Sequence, residues 1–212
     1  EIRYNYRYIN RRYGLVNLGE SNYRSGCISM SGDGNDNNLS EGNFVNLDYI
    51  DGLLPTPDGE YPKIIQVESG GRNTLVLFNN GEVHYCGYNG NGNSGTNWTG
   101  TMECPLRCGY GNVNKSGTTT LRGKKAIRIA AASGGDSNES HAMYALIENT
   151  NGTRDLYSWG YNGYGQLGHG DTSQRQNPTQ ISLNASTYGR IVEIWSSGGN
   201  YGYLMVLTDK GH

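Results

Sequence analysis

Few residues of this chain have the types and spacing that metal binding requires. Cys104 and Cys108 are separated by three residues, but no second Cys or His pair lies nearby to complete a set of four zinc ligands. Asp33, Asn35 and Asn37 hold the first, third and fifth positions of a calcium loop, yet the glycine and the glutamate that such a loop needs further on are missing. We therefore predict no metal site. Whether Cys104 and Cys108 form a disulfide stays open.

Two Gly-x-Gly-x-x-Gly matches, at residues 90–95 and 163–168, would suit a dinucleotide if either opened an amphipathic helix. Neither does, because polar and glycine residues continue on both sides. The sequence also has no nucleophile elbow, zinc-protease helix or P-loop lysine. Each histidine falls in or beside a repeat described below, which favours packing or turn roles: His84, His141, His169 and His212. We predict no cofactor, no catalytic residue and no enzyme activity.

The glycines of those two matches belong to an internal repeat. Six residues of the stretch 160–168 recur identically in the stretch 87–95, and a fainter copy begins at Gly32. Self-similarity at a spacing of tens of residues is typical of a repeat architecture. The structural signature that we expect the copies to share comprises Gly32, Gly87, Trp159, Gly160, Asn162, Gly165, Leu167, Gly168 and Gly170.

The signatures at Gly87 and Gly160 are each preceded by the same order of segments: an apolar run, a Gly-Gly pair, a second apolar run, a tight turn and a third run. The same order starts once more at Ile191. This order predicts four-stranded antiparallel units, which are the blades of a β-propeller. The turn Asn79-Asn-Gly81 is expected to be of the primed hairpin kind. Composition agrees with an all-β, turn-rich class, since 33 glycines and 17 tyrosines stand among the 212 residues.

The repeat divides the chain into consecutive units. Residues 1–25 are a strand segment or the end of a preceding blade, and blades follow at about 26–86, 87–159 and 160–212, the last of them incomplete. Three to four blades are thus expected. Because the last unit stops after its tight turn, we expect the chain to be a fragment of a larger propeller.

A basic cluster marks the middle unit, which is longer than the others by an insertion. Residues 104–135 hold six basic side chains and no acidic one. Aromatic and arginine side chains often anchor protein interfaces, although a solvated loop is the alternative. The candidate interaction loop comprises Trp98, Arg107, Lys115, Arg122, Lys124 and Lys125.

The stretch 156–171, followed by Asn177-Pro178, resembles the regulator of chromosome condensation repeat, whose blades carry Trp-Gly, Asn, Gly-Gln-Leu-Gly and Gly-Asp, then Pro. The resemblance weakens towards the start of the chain, where the middle unit has Cys86 in place of Trp. It implies a β-propeller of about seven blades when complete. The family's founding activity is guanine-nucleotide exchange on a small nuclear GTPase together with chromatin binding, but no stretch here matches the loops that activity requires.

Two functions remain, and both act by binding. Richness in Asn, Gly, Thr and Tyr favours a structural module of an extracellular, virion or surface assembly with an attachment role. Its partners would be other protein subunits and a cell-surface receptor. The alternative is an intracellular guanine-nucleotide exchange factor or a chromatin-associated regulator of a small GTPase. A net charge of -2 makes nucleic acid an unlikely partner, and no apolar run approaches the ~20 residues that span a membrane.

Overall fold

A computed structural model describes residues 16–17, 43–44, 62–70, 73–87, 89–97, 99, 102–109, 120–132, 141–198 and 202–211. In this part of the chain two strands of two residues, β1 (Val16–Asn17) and β2 (Asn43–Phe44), pair in antiparallel fashion. Apart from Val16–Asn17, the strand segment expected within residues 1–25 lies outside the described residues, as does the repeat copy around Gly32.

Three antiparallel sheets follow in chain order, and within each sheet every strand pairs with the next one along the chain. The first sheet comprises β3 (Ile64–Gly70), β4 (Asn73–Phe78), β5 (Val83–Gly87) and β6 (Met102–Arg107). The second sheet comprises β7 (Lys125–Ala132), β8 (Ala142–Glu148), β9 (Arg154–Gly160) and β10 (Arg175–Gln180). The third sheet comprises β11 (Ile191–Ser197) and β12 (Tyr203–Thr208). This succession of antiparallel meanders confirms the predicted all-β fold of consecutive propeller blades.

One short helical turn, α1 (Ala185–Tyr188), joins the second sheet to the third. It begins at Asn184, whose side chain accepts a hydrogen bond from the main-chain N–H of Ser186. The turn ends at Gly189, which has a positive φ. Four residues of helix leave the architecture all-β.

Sheet boundaries and sequence repeats are offset from one another. The sequence repeats at about 26–86, 87–159 and 160–212 have their boundaries at the signature glycines, and Gly87 and Gly160 end the third strands of their sheets. The fourth strands, β6 and β10, therefore come after the repeat boundary along the chain but remain in the sheet that precedes it. A sheet and a sequence repeat thus contain different sets of strands.

The tight turns of the three sheets share one geometry, and it corrects the expected primed turn. In the first sheet Gly81 N donates to Phe78 O at 2.9 Å and Phe78 N donates to Glu82 O at 2.9 Å, while Gly81 has a φ of 88°. Primed turns need positive φ at both central residues, but Asn79 and Asn80 have none. Instead, only the glycine after an ordinary turn takes the left-handed conformation, as in a bulged three-residue hairpin loop. Gly152 and Gly211 repeat this arrangement in the second and third sheets.

The first strands of the three sheets lie side by side, with β7 between β3 and β11. Each contains the same irregularity near its start, where the register with the second strand shifts between Ile64 and Gln66, between Ala126 and Arg128, and between Ile191 and Glu193. A β-bulge increases the local twist of a strand. Its recurrence at one position shows that the three sheets are copies of one unit arranged around a common axis.

Apolar side chains between neighbouring sheets form the core. One cluster joins Leu75, Leu77 and Tyr85 of the first sheet to Met143 and Trp159 of the second, and a second cluster joins the second sheet to the third. Strands covered on both faces are buried along their length, as β4 and β8 are. By contrast β12 alternates between exposed and partly buried residues, because described residues cover only one of its faces.

Candidate protein-interaction surfaces

Trp159 links the second sheet to a loop of the first sheet. Its side chain is 0% exposed, and its indole Nε1 donates a hydrogen bond of 2.7 Å to the main-chain oxygen of Asn93. A Cβ at Gly95 would lie 3.0 Å from that indole nitrogen, so a side chain there would crowd the ring. Trp159 is therefore buried between neighbouring sheets.

The signature loop after Trp159 is organised by one amide side chain. Asn162 is buried; its Oδ1 accepts from Leu167 N at 2.9 Å, and its Nδ2 donates to the main-chain oxygens of Asp171 and Ser173. Asn89 does the same in the earlier copy, where its Oδ1 accepts from Ser94 N at 2.8 Å. The structure therefore places the signature residues in a rigid loop scaffold, with Gly165, Gly168 and Gly170 all at positive φ.

Ser158, His169 and Asp171 lie close together, but their geometry does not make a nucleophile. The Ser158 hydroxyl is fully buried and donates to Leu167 O at 2.7 Å, while His169 Nε2 lies 3.0 Å from Ser158 Oγ. Because the serine proton is already donated to a carbonyl, the imidazole acts as the donor in that contact. Asp171 pairs with Arg175 at 2.7 Å. The cluster therefore holds the loop in shape.

Burial and the positive charge of Arg175 lower the pKa of His169, and the carboxylate of Asp171 opposes them. The hydrogen bond from Arg175 lowers the pKa of Asp171. Both shifts favour a neutral imidazole beside a salt-bridged carboxylate near neutral pH.

Among the described residues, no group of three His, Cys, Asp or Glu side chains is placed to hold a metal ion. In the same part of the chain, no helix is long and apolar enough to cross a membrane. Cys108 is buried in the core between the first and second sheets.

The candidate interaction loop is only partly described. Trp98 and Lys115 lie outside the described residues, and Arg107 ends β6. Arg122, Lys124 and Lys125 lie together on the turn that enters β7, where Lys124 Nζ stands 5.6 Å from the centre of the Tyr157 ring. The structure thus brings three of the six predicted residues together.

The turn that carries these three cations is rigid. Leu121 is buried and its N–H donates to Gly109 O at 3.2 Å, while Lys124 N donates back to Leu121 O at 3.0 Å. At the other end of the turn Ala126 N donates to Gly81 O at 3.1 Å. Both ends are therefore bonded to the first sheet, which fixes the direction of the turn.

Two further basic residues belong to the same surface, and sequence reasoning missed them. Lys63 comes directly before β3, and Arg190 comes directly before β11. Lys125 holds the equivalent position in the second sheet, just before the bulge of β7. One basic residue therefore lies at the same position in each sheet. The signal was present in the sequence, because each of the three comes directly before an apolar run. We call the end of the sheets where first strands begin the entry face. The entry arc is Lys63, Arg122, Lys124, Lys125 and Arg190.

Further charged groups of the second and third sheets lie beside Arg190. Arg154 of the second sheet donates from Nη1 to Ile191 O at 2.9 Å, beside Arg190 of the third, and its Nη2 pairs with Glu148 at 3.2 Å. Asp209 accepts from the main-chain N–H of Arg190 at 2.9 Å. Glu148 thus pairs with Arg154, and Asp209 lies against the main chain of Arg190. Lys63, Arg122, Lys125 and Arg190 are all exposed.

A groove of about 480 Å³ runs along the first strands at the centre of the three sheets. Gln66 crosses it: its Nε2 donates to Ile129 O at 2.8 Å and its Oε1 accepts from Ile129 N at 3.0 Å. At the equivalent position of the next sheet Arg128 Nε lies 3.0 Å from Glu193 Oε1. These side chains join sheet to sheet, so the groove is a structural seam of the propeller.

The third sheet exposes one apolar face, formed by Trp195, Tyr203, Met205 and Leu207. The equivalent positions of the second sheet, Ala142, Tyr144 and Leu146, are fully buried against the third. The open face is therefore where the succession of sheets would continue in a larger propeller.

Comparisons with known proteins agree with this architecture. The regulator of chromosome condensation (RCC1) repeat matches residues 155–204. Human HERC2, an E3 ubiquitin-protein ligase, is 29% identical over 157 residues, which is 74% of this chain and 3% of HERC2. The chain thus spans only a small part of that curated relative.

Solved structures give the same result for the fold. Human WBSCR16 aligns with a TM-score of 0.58 at 20% identity, over 92% of this chain and 40% of that one. Prp20p from Saccharomyces cerevisiae, whose structure was described with its binding to Gsp1p and histones, aligns with a TM-score of 0.57 at 19% identity, over 93% of this chain and 41% of that one. The chain covers less than half of either structure.

These relatives correct one expectation. The extracellular or virion location inferred from composition is wrong, because the relatives are intracellular proteins. They also give no support to a cell-surface receptor as partner. Richness in Asn and Gly reflects the tight turns and signature loops, which need these residues for their backbone geometry. The repeat matched at residues 155–204 and the shared propeller architecture confirm the predicted similarity to RCC1-type repeats.

Proposed function

We propose that the chain is part of an intracellular β-propeller that acts by binding partner proteins and performs no covalent chemistry. The observation that carries this proposal is the entry face, where exposed side chains project from rigid turns of three consecutive sheets. Loops fixed by a buried scaffold are the usual carriers of binding function in such folds. Ser158, His169 and Asp171, which have the residue types of a hydrolase, are bonded within their own loop.

A test of this proposal starts from the full-length protein, immobilised and exposed to an extract of its own cells. Enriched proteins are then purified and titrated one at a time by calorimetry. We expect at least one of them to form a complex of fixed stoichiometry with purified components alone. Failure of every enriched protein to bind when purified would contradict the proposal.

A second candidate function is guanine-nucleotide exchange on a small GTPase. The likeness to Prp20p favours it, because that protein is described as binding Gsp1p and histones. At 19% identity the likeness speaks for the fold, so the activity needs its own experiment. Release of a fluorescent GDP analogue from purified small GTPases, with and without the full-length protein, decides the matter. Accelerated release would establish exchange, whereas binding without acceleration would leave a plain binding module.

A further inference from the structure

We propose that the entry arc binds an acidic segment of a partner protein, in an extended conformation that runs from sheet to sheet. This inference rests on the proposed binding function and adds the chemistry of the ligand. Lys63, Lys125 and Arg190 occupy one position in three successive sheets, and Arg122 and Lys124 stand beside the middle one. The arc therefore presents cations at a regular interval.

Charge favours an acidic partner. The chain as a whole has a net charge of -2, so the arc is a local positive surface on an otherwise acidic molecule. Arg122, Lys125 and Arg190 make no ion pair within the described residues, while Glu148 pairs with Arg154 and Asp155 accepts from Asn149. Arg122, Lys125 and Arg190 can therefore attract carboxylates from another molecule.

The spacing of the sheets suggests the pattern that fits. Packed sheets lie about 10 Å apart, and an extended chain advances about 3.3 Å per residue. An extended segment would therefore pass one sheet every three residues or so. We infer that carboxylates three residues apart match the successive basic positions, whereas a block of adjacent carboxylates would use only some of them.

An acidic protein segment is favoured over nucleic acid. A nucleic acid strand that binds through its backbone commonly uses 6 to 10 phosphate contacts, and its long charged chain would meet the acidic remainder of the molecule. The arc has five cations, and one of them, Lys124, already stands over the Tyr157 ring. A short segment with three carboxylates can be satisfied by the arc alone.

The test uses a fluorescent peptide, Glu-Gly-Ser-Glu-Gly-Ser-Glu, titrated with the full-length protein by fluorescence anisotropy in low salt. The matched peptide carries Gln in place of each Glu. We expect the Glu peptide to bind and the Gln peptide to bind at least 10-fold more weakly, with loss of binding as salt screens the charges. Equal binding of the two peptides would overturn the proposal.

Two protein variants with the same change in net charge complete the test. R122Q/K125Q removes two cations from the arc, and we expect it to weaken peptide binding by about 3- to 10-fold, as two exposed ion pairs suggest. T172E/Q174E changes two exposed residues next to the signature loop, at the opposite end of the sheets, and should leave binding unchanged. For each variant, a Tm equal to that of the wild type would show that folding is intact.

The remaining outcomes separate this proposal from the broader one. If R122Q/K125Q binds the peptide as the wild type does, the arc is not the site. A single-stranded oligonucleotide of equal charge that binds more tightly and displaces the peptide would assign the arc to nucleic acid. If the Glu peptide does not bind but the purified protein partner still binds R122Q/K125Q, the acidic-segment proposal is wrong and the proposed protein-binding function is retained.

Discussion

The indole Nε1 of Trp159 donates a 2.7 Å hydrogen bond to the main-chain oxygen of Asn93, across the boundary between two sheets. A residue of the second sheet thereby holds the signature loop that follows the third strand of the first sheet. The contact explains why tryptophan is placed before a signature glycine: its ring fills the space between the sheets and its N–H satisfies a carbonyl that would otherwise be buried without a donor.

Replacing Trp159 tests this contact. W159A should lower the free energy of unfolding by about 3 to 5 kcal/mol through lost burial and the cavity left behind. W159F keeps most of the ring but loses the donor, and should cost about 1 to 3 kcal/mol. Urea unfolding monitored by circular dichroism measures both. A cost for W159A below about 1 kcal/mol would show that the ring is not packed between the sheets.

Two glycines at similar φ form a matched pair. Gly152 has a φ of 80° with open space around it, so G152A should cost only the left-handed backbone penalty of about 1 to 2 kcal/mol. Gly160 has a φ of 99°, and a Cβ there would collide with His141 O. G160A should therefore cost about 3 kcal/mol or more. Thermal unfolding compares them, and equal loss of stability would rule out the close approach at Gly160.

Much of the fold was readable from sequence because it rests on local chemistry. The apolar runs, the tight turns and the repeated glycines predicted antiparallel blades. The bulges before Gln66, Arg128 and Glu193 were not predicted, since they arise from how first strands twist against each other around the axis. The primed turn was wrong because Asn-Asn-Gly suits either turn geometry, and only the strand register decides between them.

The binding surface was harder to read. Arg122, Lys124 and Lys125 stood out as a cluster along the chain, but Lys63 and Arg190 join them only after three sheets are brought side by side. The predicted extracellular or virion location was wrong for another reason. Asn, Gly and Tyr richness is a property of the repeat's turns and strands, so it carries no information about the compartment in which the protein works.

His169 predicts a dependence of stability on pH. Its pKa is lowered in the folded state, so the unfolded chain binds the proton first as pH falls below the usual value of about 6.5. The histidine's contribution is present above that pH and is lost as pH falls towards the lower folded pKa. We expect the wild-type Tm to fall between pH 7.5 and 5.5 more steeply than the Tm of H169Q. Parallel curves would show that the imidazole is not held neutral.

Arg128 and Glu193 should couple the second and third sheets weakly. Arg128 Nε lies 3.0 Å and 3.1 Å from the two carboxylate oxygens, but the pair is partly exposed. A double-mutant cycle with R128Q and E193Q should give a coupling of about 0.2 to 1 kcal/mol that shrinks in 1 M salt. A coupling that is zero at every salt concentration would mean that the pair does not join the sheets.

A hydrogen-exchange footprint tests the binding role of the entry face most directly. The full-length protein is compared alone and saturated with a partner that has been shown to bind in purified form. Amide exchange should slow in the turn at 120–126 and around 190 and 209–211, and should stay unchanged in the signature loop at 163–170. Protection confined to that loop, with no change at the entry face, would contradict the assignment.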